Sequence, residues 1–181
     1  MSIETLVEAC ATELGEHHAV RENALAISRR LVRQCANTIR ATHRSQFAQA
    51  ADFLREARTI ASSLHDAVDE YPDLLTAGYT QDAFKEYAEA ALVYSFLTDA
   101  EMPNPAVLNV SPSAFLNGLC EAASELRRAI LDRLRRNEVQ QSEHLLTIMD
   151  DVYSLLIAVD YPEAVTGGLR RSTDALRGVL E

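Results

Sequence analysis

The stretch 82-DAFKEYAEAALVYSFL-97 decides the fold class, because it reads as a helix that must be buried. From Ala88 onward its residues are apolar on almost every side at the 3.6-residue period of an α-helix. The rest of the chain favours helices as well. Only six glycines and five prolines occur in 181 residues, no proline precedes Pro72, and no segment alternates long enough to predict a strand. We therefore predict an all-α protein.

Hydrophobic periodicity and breaker residues predict a single domain over residues 1–181, built as a bundle of seven helices. The first helix is expected to end near Gly15, and Ser111 is expected to cap a helix that begins at Pro112. The predicted helices, in chain order, span residues 3–14, 17–44, 47–68, 80–97, 112–136, 140–159 and 168–180. A chain of this length can bury a core of its own.

Composition excludes several classes of protein. Hydrophobic residues make up 48% and charged residues 24% of the chain, which excludes a disordered protein. No apolar run approaches the ~20 residues of a membrane span, and the start MSIETLVEAC lacks the basic and apolar regions of a signal peptide. The three cysteines form no CxxC pattern, so structural zinc is not expected. We expect a cytoplasmic protein with free thiols and no membrane partner.

One basic segment stands out in an acidic chain of net charge −10. Residues 23–51 contain no acid, and a helical wheel places five arginines and His43 on one face about 140° wide. We call these five the arginine row: Arg29, Arg30, Arg33, Arg40 and Arg44. The opposite, inward face is predicted to carry Leu25, Leu31, Val32, Cys35 and Ile39.

The arginine row has two interpretations. Arginine binds phosphate through two parallel hydrogen bonds, so a row at helical spacing suits a nucleic-acid backbone. The solvated face of an ordinary amphipathic helix would give the same pattern. The net negative charge of the chain argues against a nucleic-acid partner when taken alone, but the distribution of the charges matters more than their sum.

Two pairs of carboxylates form the second candidate feature. Glu86 and Glu89 lie one turn apart on the apolar helix, and Glu121 and Glu125 lie one turn apart on the helix that begins at Pro112. Carboxylates on a buried face cost several kcal/mol each unless they are compensated. If the two helices are antiparallel and the pairs face each other, all four would hold Mg²⁺ or Mn²⁺, hard cations suited to phosphodiester hydrolysis.

The two carboxylate pairs have other interpretations besides a magnesium or manganese site. Paired glutamates at helical spacing are common on exposed helix faces. A ferritin-like di-iron site is disfavoured, because Leu92 and Ser124 stand where a Glu-x-x-His motif needs histidine. A helical nucleotide pyrophosphatase, which also clusters acids on antiparallel helices, remains a rival.

Four segments together resemble the translin family, and more closely its Trax (translin-associated factor X) branch. They are 37-NTIRATHRSQ-46, 78-GYTQDAFKEYAEA-90, 114-AFLNGLCEAASELRR-128 and 144-HLLTIMDDVYSLLIAVDYPEAVTGGLRRSTDALRG-178. The order and spacing of these segments carry the resemblance over about residues 20–180. It implies seven-helix subunits that assemble into hollow octamers and bind single-stranded RNA and DNA.

The resemblance also implies an activity and its residues. Trax-type subunits are metal-dependent endoribonucleases, whereas translin-type subunits bind nucleic acid and lack the acidic site. Glu86, Glu89, Glu121 and Glu125 fall where the Trax branch keeps its acids, with Glu121 in a position where Asp is expected. Asp82 is a candidate outer-shell member.

Nucleic-acid contact is assigned to Arg33, Arg40, His43 and Arg44, the last three of which match the family's helix-end segment. The predicted function is a Mg²⁺- or Mn²⁺-dependent endoribonuclease on single-stranded RNA, working as a homo-oligomer, with an octamer expected. The alternative is an oligomer that binds single-stranded RNA or DNA without cutting it.

Overall fold

Helices are the only regular elements in residues 2–181, the range that the computed structural model describes. The predicted all-α class is confirmed. The helices are α1 (Ile3–His43), α2 (Phe47–Val68), α3 (Pro72–Leu75), α4 (Gly78–Thr98), α5 (Pro105–Leu108), α6 (Pro112–Arg135), α7 (Val139–Leu156), α8 (Glu163–Thr166) and α9 (Leu169–Leu180). Within the described range, no helix is both long and apolar enough to cross a bilayer.

Most predicted boundaries agree closely with the structure. The bounds of α2, α4, α6 and α9 lie within two residues of the prediction, and Ser111 caps α6 by accepting a hydrogen bond from the backbone N–H of Ala114. The single turns α3, α5 and α8 were not predicted, since each is only four residues long.

The predicted break at Gly15 is wrong, because α1 runs through it without interruption for 41 residues. A glycine inside a helix costs about 1 kcal/mol, but it does not stop the helix when no proline or left-handed residue follows. Two predicted helices are therefore one.

The inward face of α1 also differs from the prediction at one position. Val32 is 36% exposed, whereas Ala24, Leu31 and Cys35 are fully buried. The observed face follows a stripe that is rotated by about one residue from the predicted heptad of Leu25, Val32 and Ile39.

Helix α4 lies at the centre of the protein, as its apolar sequence requires. Phe84 and Tyr87 pack into a core shared with α1 and α2, while Leu92 and Val93 pack into a second core shared with α6, α7 and α9. All four side chains are at most 2% exposed. Because α4 contributes to both cores, its position is set from both sides.

Helices α4 and α6 approach each other closely at Gly118. A Cβ atom built on this glycine would lie 2.7 Å from the carbonyl oxygen of Lys85 and 2.9 Å from the Cβ of Ala88. Only glycine allows this separation. The close approach brings the glutamates of the two helices within reach of one another.

The first turns of α1 extend away from the rest of the protein. All residues in 3–16 are exposed, and these include the apolar side chains of Ile3, Leu6, Val7 and Leu14. The helix meets the other elements at His17, whose Nε2 lies 2.8 Å from Oδ2 of Asp73. We call residues 3–16 the N-terminal arm.

Candidate functional site

Three carboxylates from two helices converge where α4 packs against α6. One carboxylate oxygen from each of Glu86, Glu89 and Glu121 lies within 4.8 Å of the other two. Glu89 is buried at 7% exposure, and the other two are half-buried. We call these three residues the carboxylate cluster.

Glu125, the fourth predicted ligand, lies beside the cluster but has a partner of its own. Its Oε2 is 2.8 Å from Nε2 of His43, at the end of α1. The hydrogen bond to His43 holds the pKa of Glu125 below its ordinary value against the opposing effect of burial. An ionised carboxylate only accepts, so Nε2 of His43 carries the donated proton.

An open cleft of about 470 Å³ lies over the cluster. Three helices contribute to it: α1, α4 and α6. The lining residues are Ala36, Ile39, Arg40, Glu86, Glu89, Glu121, Ser124, Glu125 and Arg128. We call this space the acidic cleft.

Burial and mutual repulsion favour the protonated forms of the deepest glutamates. Burial, followed by the charges of Glu86, Glu121 and Glu125, raises the pKa of Glu89 to about 8. Burial is also the largest cause of the raised pKa of Glu86. The described residues provide no hydrogen bond to the carboxylate of either Glu86 or Glu89.

This donor set fits a hard divalent cation. Carboxylate oxygens are the ligands that Mg²⁺ and Mn²⁺ prefer, and a divalent charge would compensate the repulsion that raises the pKa of Glu89. Glu86, Glu89 and Glu121 are the residues that would hold it. Asp82, the expected outer-shell member, is exposed and lies outside the group of three.

Lys85 is a site residue that sequence reasoning did not identify. Its Nζ lies 2.8 Å from Oε1 of Glu121, across the interface between α4 and α6. Burial opposes its charge, but the bond to Glu121 and the nearby Glu86 and Asp82 outweigh burial and raise the pKa of the ammonium. In the sequence, its place directly before Glu86 was the signal that could have identified it as part of the site.

The arginine row lies along the exposed side of α1 and reaches the acidic cleft at Arg40. All five arginines are exposed, and within residues 2–181 none of them has a carboxylate within 4 Å. Nη2 of Arg40 donates to Oδ1 of Asn37, which lies one turn earlier. The predicted nucleic-acid residues Arg33, Arg40 and Arg44 therefore share one open surface.

His43 does not belong to that surface, which corrects the prediction that grouped it with the arginines. Its side chain is 1% exposed and contacts Glu125 of α6. Its Nδ1 is buried and has no partner among the described residues. The helical wheel places His43 next to Arg40 and Arg44 but carries no information on where α6 packs.

Comparisons with known proteins find a relative in sequence and several solved structures of the same fold. No family model matches the chain. An uncharacterized protein of Methanocaldococcus jannaschii is 30% identical over 171 residues, which cover 93% of this chain and 75% of that protein.

Three solved structures resemble this chain over 96% of its length. The crystal structure of AfC3PO has a TM-score of 0.86, and the complex of AfC3PO with duplex RNA has a TM-score of 0.85. Both are 28% identical to this chain, which covers 90% of theirs. The crystal structure of apo-NeC3PO, with a TM-score of 0.85, 17% identity and 91% of its chain covered, shares the fold.

Proposed function

The chain belongs to the translin family, and from that premise we propose that it is an RNA-binding homo-oligomer with a Trax-type, Mg²⁺-dependent endoribonuclease activity on single-stranded RNA. The observation that carries the proposal is the convergence of Glu86, Glu89 and Glu121 at the base of an open cleft. A divalent cation would compensate three carboxylates that lie so close together, and the cleft leaves room for a phosphodiester.

The carboxylate cluster and its neighbour Glu125 have different roles in the proposed reaction. When bound by the cluster, Mg²⁺ or Mn²⁺ supplies the polarisation of water and the neutralisation of charge on the leaving oxygen. Glu125 stays ionised through its bond with His43 and offers its carboxylate, which is 39% exposed, as an acceptor for the attacking water. His43 acts as a positioning residue, since it touches Glu125 and is closed to solvent.

The arginine row supplies the binding surface for the strand. Its five guanidinium groups lie on one helix face, and Arg40 lines both this face and the cleft. Phosphate groups bound along α1 would therefore deliver the backbone to the carboxylates. In a hollow assembly this row would face inward while the acidic remainder of the surface faces solvent.

AfC3PO, which shares this fold, forms a complex with duplex RNA, and this supports RNA as the ligand. The preference for single strands comes from the family resemblance, as does the expected octamer. Single-stranded DNA is a second expected ligand. Native mass spectrometry counts the 20.0 kDa chains in the assembly, and an octamer contains eight of them.

The direct test uses labelled single-stranded RNA with Mg²⁺ or with EDTA. We expect cleavage only with Mg²⁺, and we expect Glu89→Gln and Glu125→Ala to abolish cleavage while retaining RNA binding. Glu143→Gln, an exposed change on α7, is the matched control and should cut like the wild type. Duplex RNA and free nucleoside triphosphates, tested in parallel, identify the substrate class.

A binding role without cleavage is the second candidate, and the contact between Lys85 and Glu121 favours it. That contact neutralises one of the three carboxylates within the protein itself. RNA that is retained but stays intact with Mg²⁺ would establish this role instead. Equal cleavage by Glu89→Gln and the wild type would show that the site has been assigned to the wrong residues.

A further inference from the structure

The ammonium group of Lys85 places a cation that belongs to the protein on the carboxylate cluster. Nζ lies 2.8 Å from Oε1 of Glu121, and the side chain is 22% exposed. Lys85 is the only lysine in the sequence, among sixteen arginines. An arginine carries its charge on a planar guanidinium, whereas Lys85 carries it on a compact ammonium at the end of a flexible side chain.

Lys85 and a divalent cation would need the same carboxylate. Glu121 offers an oxygen to the group of three, and its Oε1 is already in contact with Nζ. A metal ion at the cluster would lie a few ångströms from the ammonium, and two positive charges at that distance repel each other. A metal ion that binds to the cluster must therefore either displace Nζ from Glu121 or bind more weakly because Nζ stays close to it.

A place for the withdrawn ammonium exists on the same helix. Asp82 lies three residues before Lys85 on α4, the spacing at which side chains of a helix meet, and its side chain is exposed. The stem of Lys85 has four rotatable carbons, so its ammonium can leave Glu121 without any movement of the backbone.

We propose that Lys85 competes with the divalent cation for Glu121, so that the cluster binds metal weakly and releases the lysine when it is loaded. This inference rests on the proposed metal centre. It assigns to Lys85 the control of metal affinity, and it makes the concentration of free Mg²⁺ the variable that switches the site.

The first experiment measures Mn²⁺ binding to the full-length assembly by electron paramagnetic resonance of the free ion. The variants are Lys85→Gln and Arg128→Gln, each of which removes one positive charge near the cleft. Arg128 lines the cleft but bonds to no member of the cluster within residues 2–181, whereas Lys85 bonds to Glu121. We expect Lys85→Gln to bind Mn²⁺ about tenfold more tightly than the wild type, and Arg128→Gln to change the affinity by much less. Circular dichroism establishes that each variant is folded.

A second experiment observes the lysine itself. Reductive methylation with ¹³C-formaldehyde keeps the positive charge and labels two positions, Lys85 and the α-amino group. We expect the methyl signal of Lys85 to move in a saturable way as Mg²⁺ is added, while the α-amino signal stays in place. A Lys85 signal that does not move at saturating Mg²⁺ overturns the proposed release.

The outcomes separate this inference from the proposed function. If wild type and Lys85→Gln bind Mn²⁺ equally, or if Lys85→Gln binds more weakly, Lys85 is no competitor and the metal centre stands. An equal gain in Lys85→Gln and Arg128→Gln also overturns the inference, because the effect is then one of general charge. If neither wild type nor Lys85→Gln binds Mn²⁺, the proposed metal centre is wrong, and the inference that rests on it is wrong as well.

Discussion

Glu89 bears the largest electrostatic penalty in the acidic cleft. It is buried beside Glu86 and Glu121, and its pKa of about 8 lies well above the 4.5 of an ordinary glutamate. The folded protein therefore holds this proton at pH values where the unfolded chain has already lost it. A bound cation removes the penalty by favouring the ionised form.

The stability of the metal-free protein should fall as the pH rises from about 4.5 to about 8. Because the folded-state pKa of Glu89 is raised, its contribution is complete below the unfolded value and is lost as the pH passes through the folded value. Thermal melts in EDTA should show this fall in the wild type and in Glu143→Gln, and a much flatter profile in Glu89→Gln. Added Mg²⁺ should restore stability at pH 8 in the wild type and in Glu143→Gln, which keep the carboxylate cluster, but not in Glu89→Gln. A Glu89→Gln profile as steep as that of the wild type would contradict the assignment.

Two histidine–carboxylate contacts of equal length should differ in what they contribute to stability. His43 to Glu125 and His17 to Asp73 are both 2.8 Å, but the His43 side chain is 1% exposed and the His17 side chain 37%. We expect His43→Ala to lower the free energy of unfolding by about 1.5–3 kcal/mol, and His17→Ala to lower it by much less, because solvent screens the contact with the exposed Asp73. Urea denaturation at pH 7 measures both. Similar losses in the two variants would show that burial does not set the strength of these contacts.

At the scale of helices, the pair α4 and α6 determines the geometry of the site. Gly118 allows their backbones to approach, and this approach sets the distance between the glutamates of the two helices. The two helices were predictable from sequence, since one is apolar on nearly every side and the other has an N-cap and a proline at its start. The sequence did not show whether the two carboxylate pairs face each other, because that depends on how the two helices pack.

What could not be predicted depends on contacts between distant helices. Helical spacing grouped His43 with the arginines, whereas α6 packs against it and supplies Glu125 as its partner. The bond from Lys85 to Glu121 spans 36 positions and has no periodic signal. Helix α1 continues through Gly15 because a single glycine is too weak a signal to end a helix. The sequence was therefore no reliable guide to whether one helix or two would form.

Adding a methyl group at Gly118 should separate these two helices. The new Cβ would meet backbone atoms of α4, which cannot rotate away, so we expect Gly118→Ala to lower the free energy of unfolding by about 1–3 kcal/mol and to weaken Mn²⁺ binding. Gly15→Ala is the matched control. It also lies in a helix, but its Cβ would meet nothing within 4 Å, so it should stabilise the protein by up to about 1 kcal/mol. Differential scanning calorimetry checks both, and a stabilised Gly118→Ala would show that the close approach is not required.

At the scale of the whole molecule, the arginine row is a basic surface on a chain that is acidic overall. The chain has a net charge of −10, yet residues 23–51 contain five arginines and no acid. An RNA strand would thus be attracted to the arginine row, although the net charge of the chain is negative. The arginine row should account for most of the salt dependence of RNA binding.

Replacing Arg33, Arg40 and Arg44 together with glutamine should reduce the slope of log affinity against log salt by about 2, because each phosphate contact on a single strand contributes about 0.7. Affinity should fall for all RNA sequences alike. The control triple variant replaces with glutamine three other arginines, each of which forms a salt bridge with an acid three residues before it on the same helix: Arg55, Arg135 and Arg177. Filter binding from low to high salt compares the two, and equal slopes would place the RNA elsewhere.

The unbroken α1 gives the protein a rod that can carry an optical reporter. Cys10 lies in the N-terminal arm and is exposed, whereas Cys35 and Cys120 are buried and their thiol pKa values are raised, mainly by burial. A maleimide dye should therefore react at Cys10, about 45 Å along the same helix from Arg40. That separation is suited to energy transfer, so a second dye on one end of an RNA would report the direction in which the strand lies along the helix.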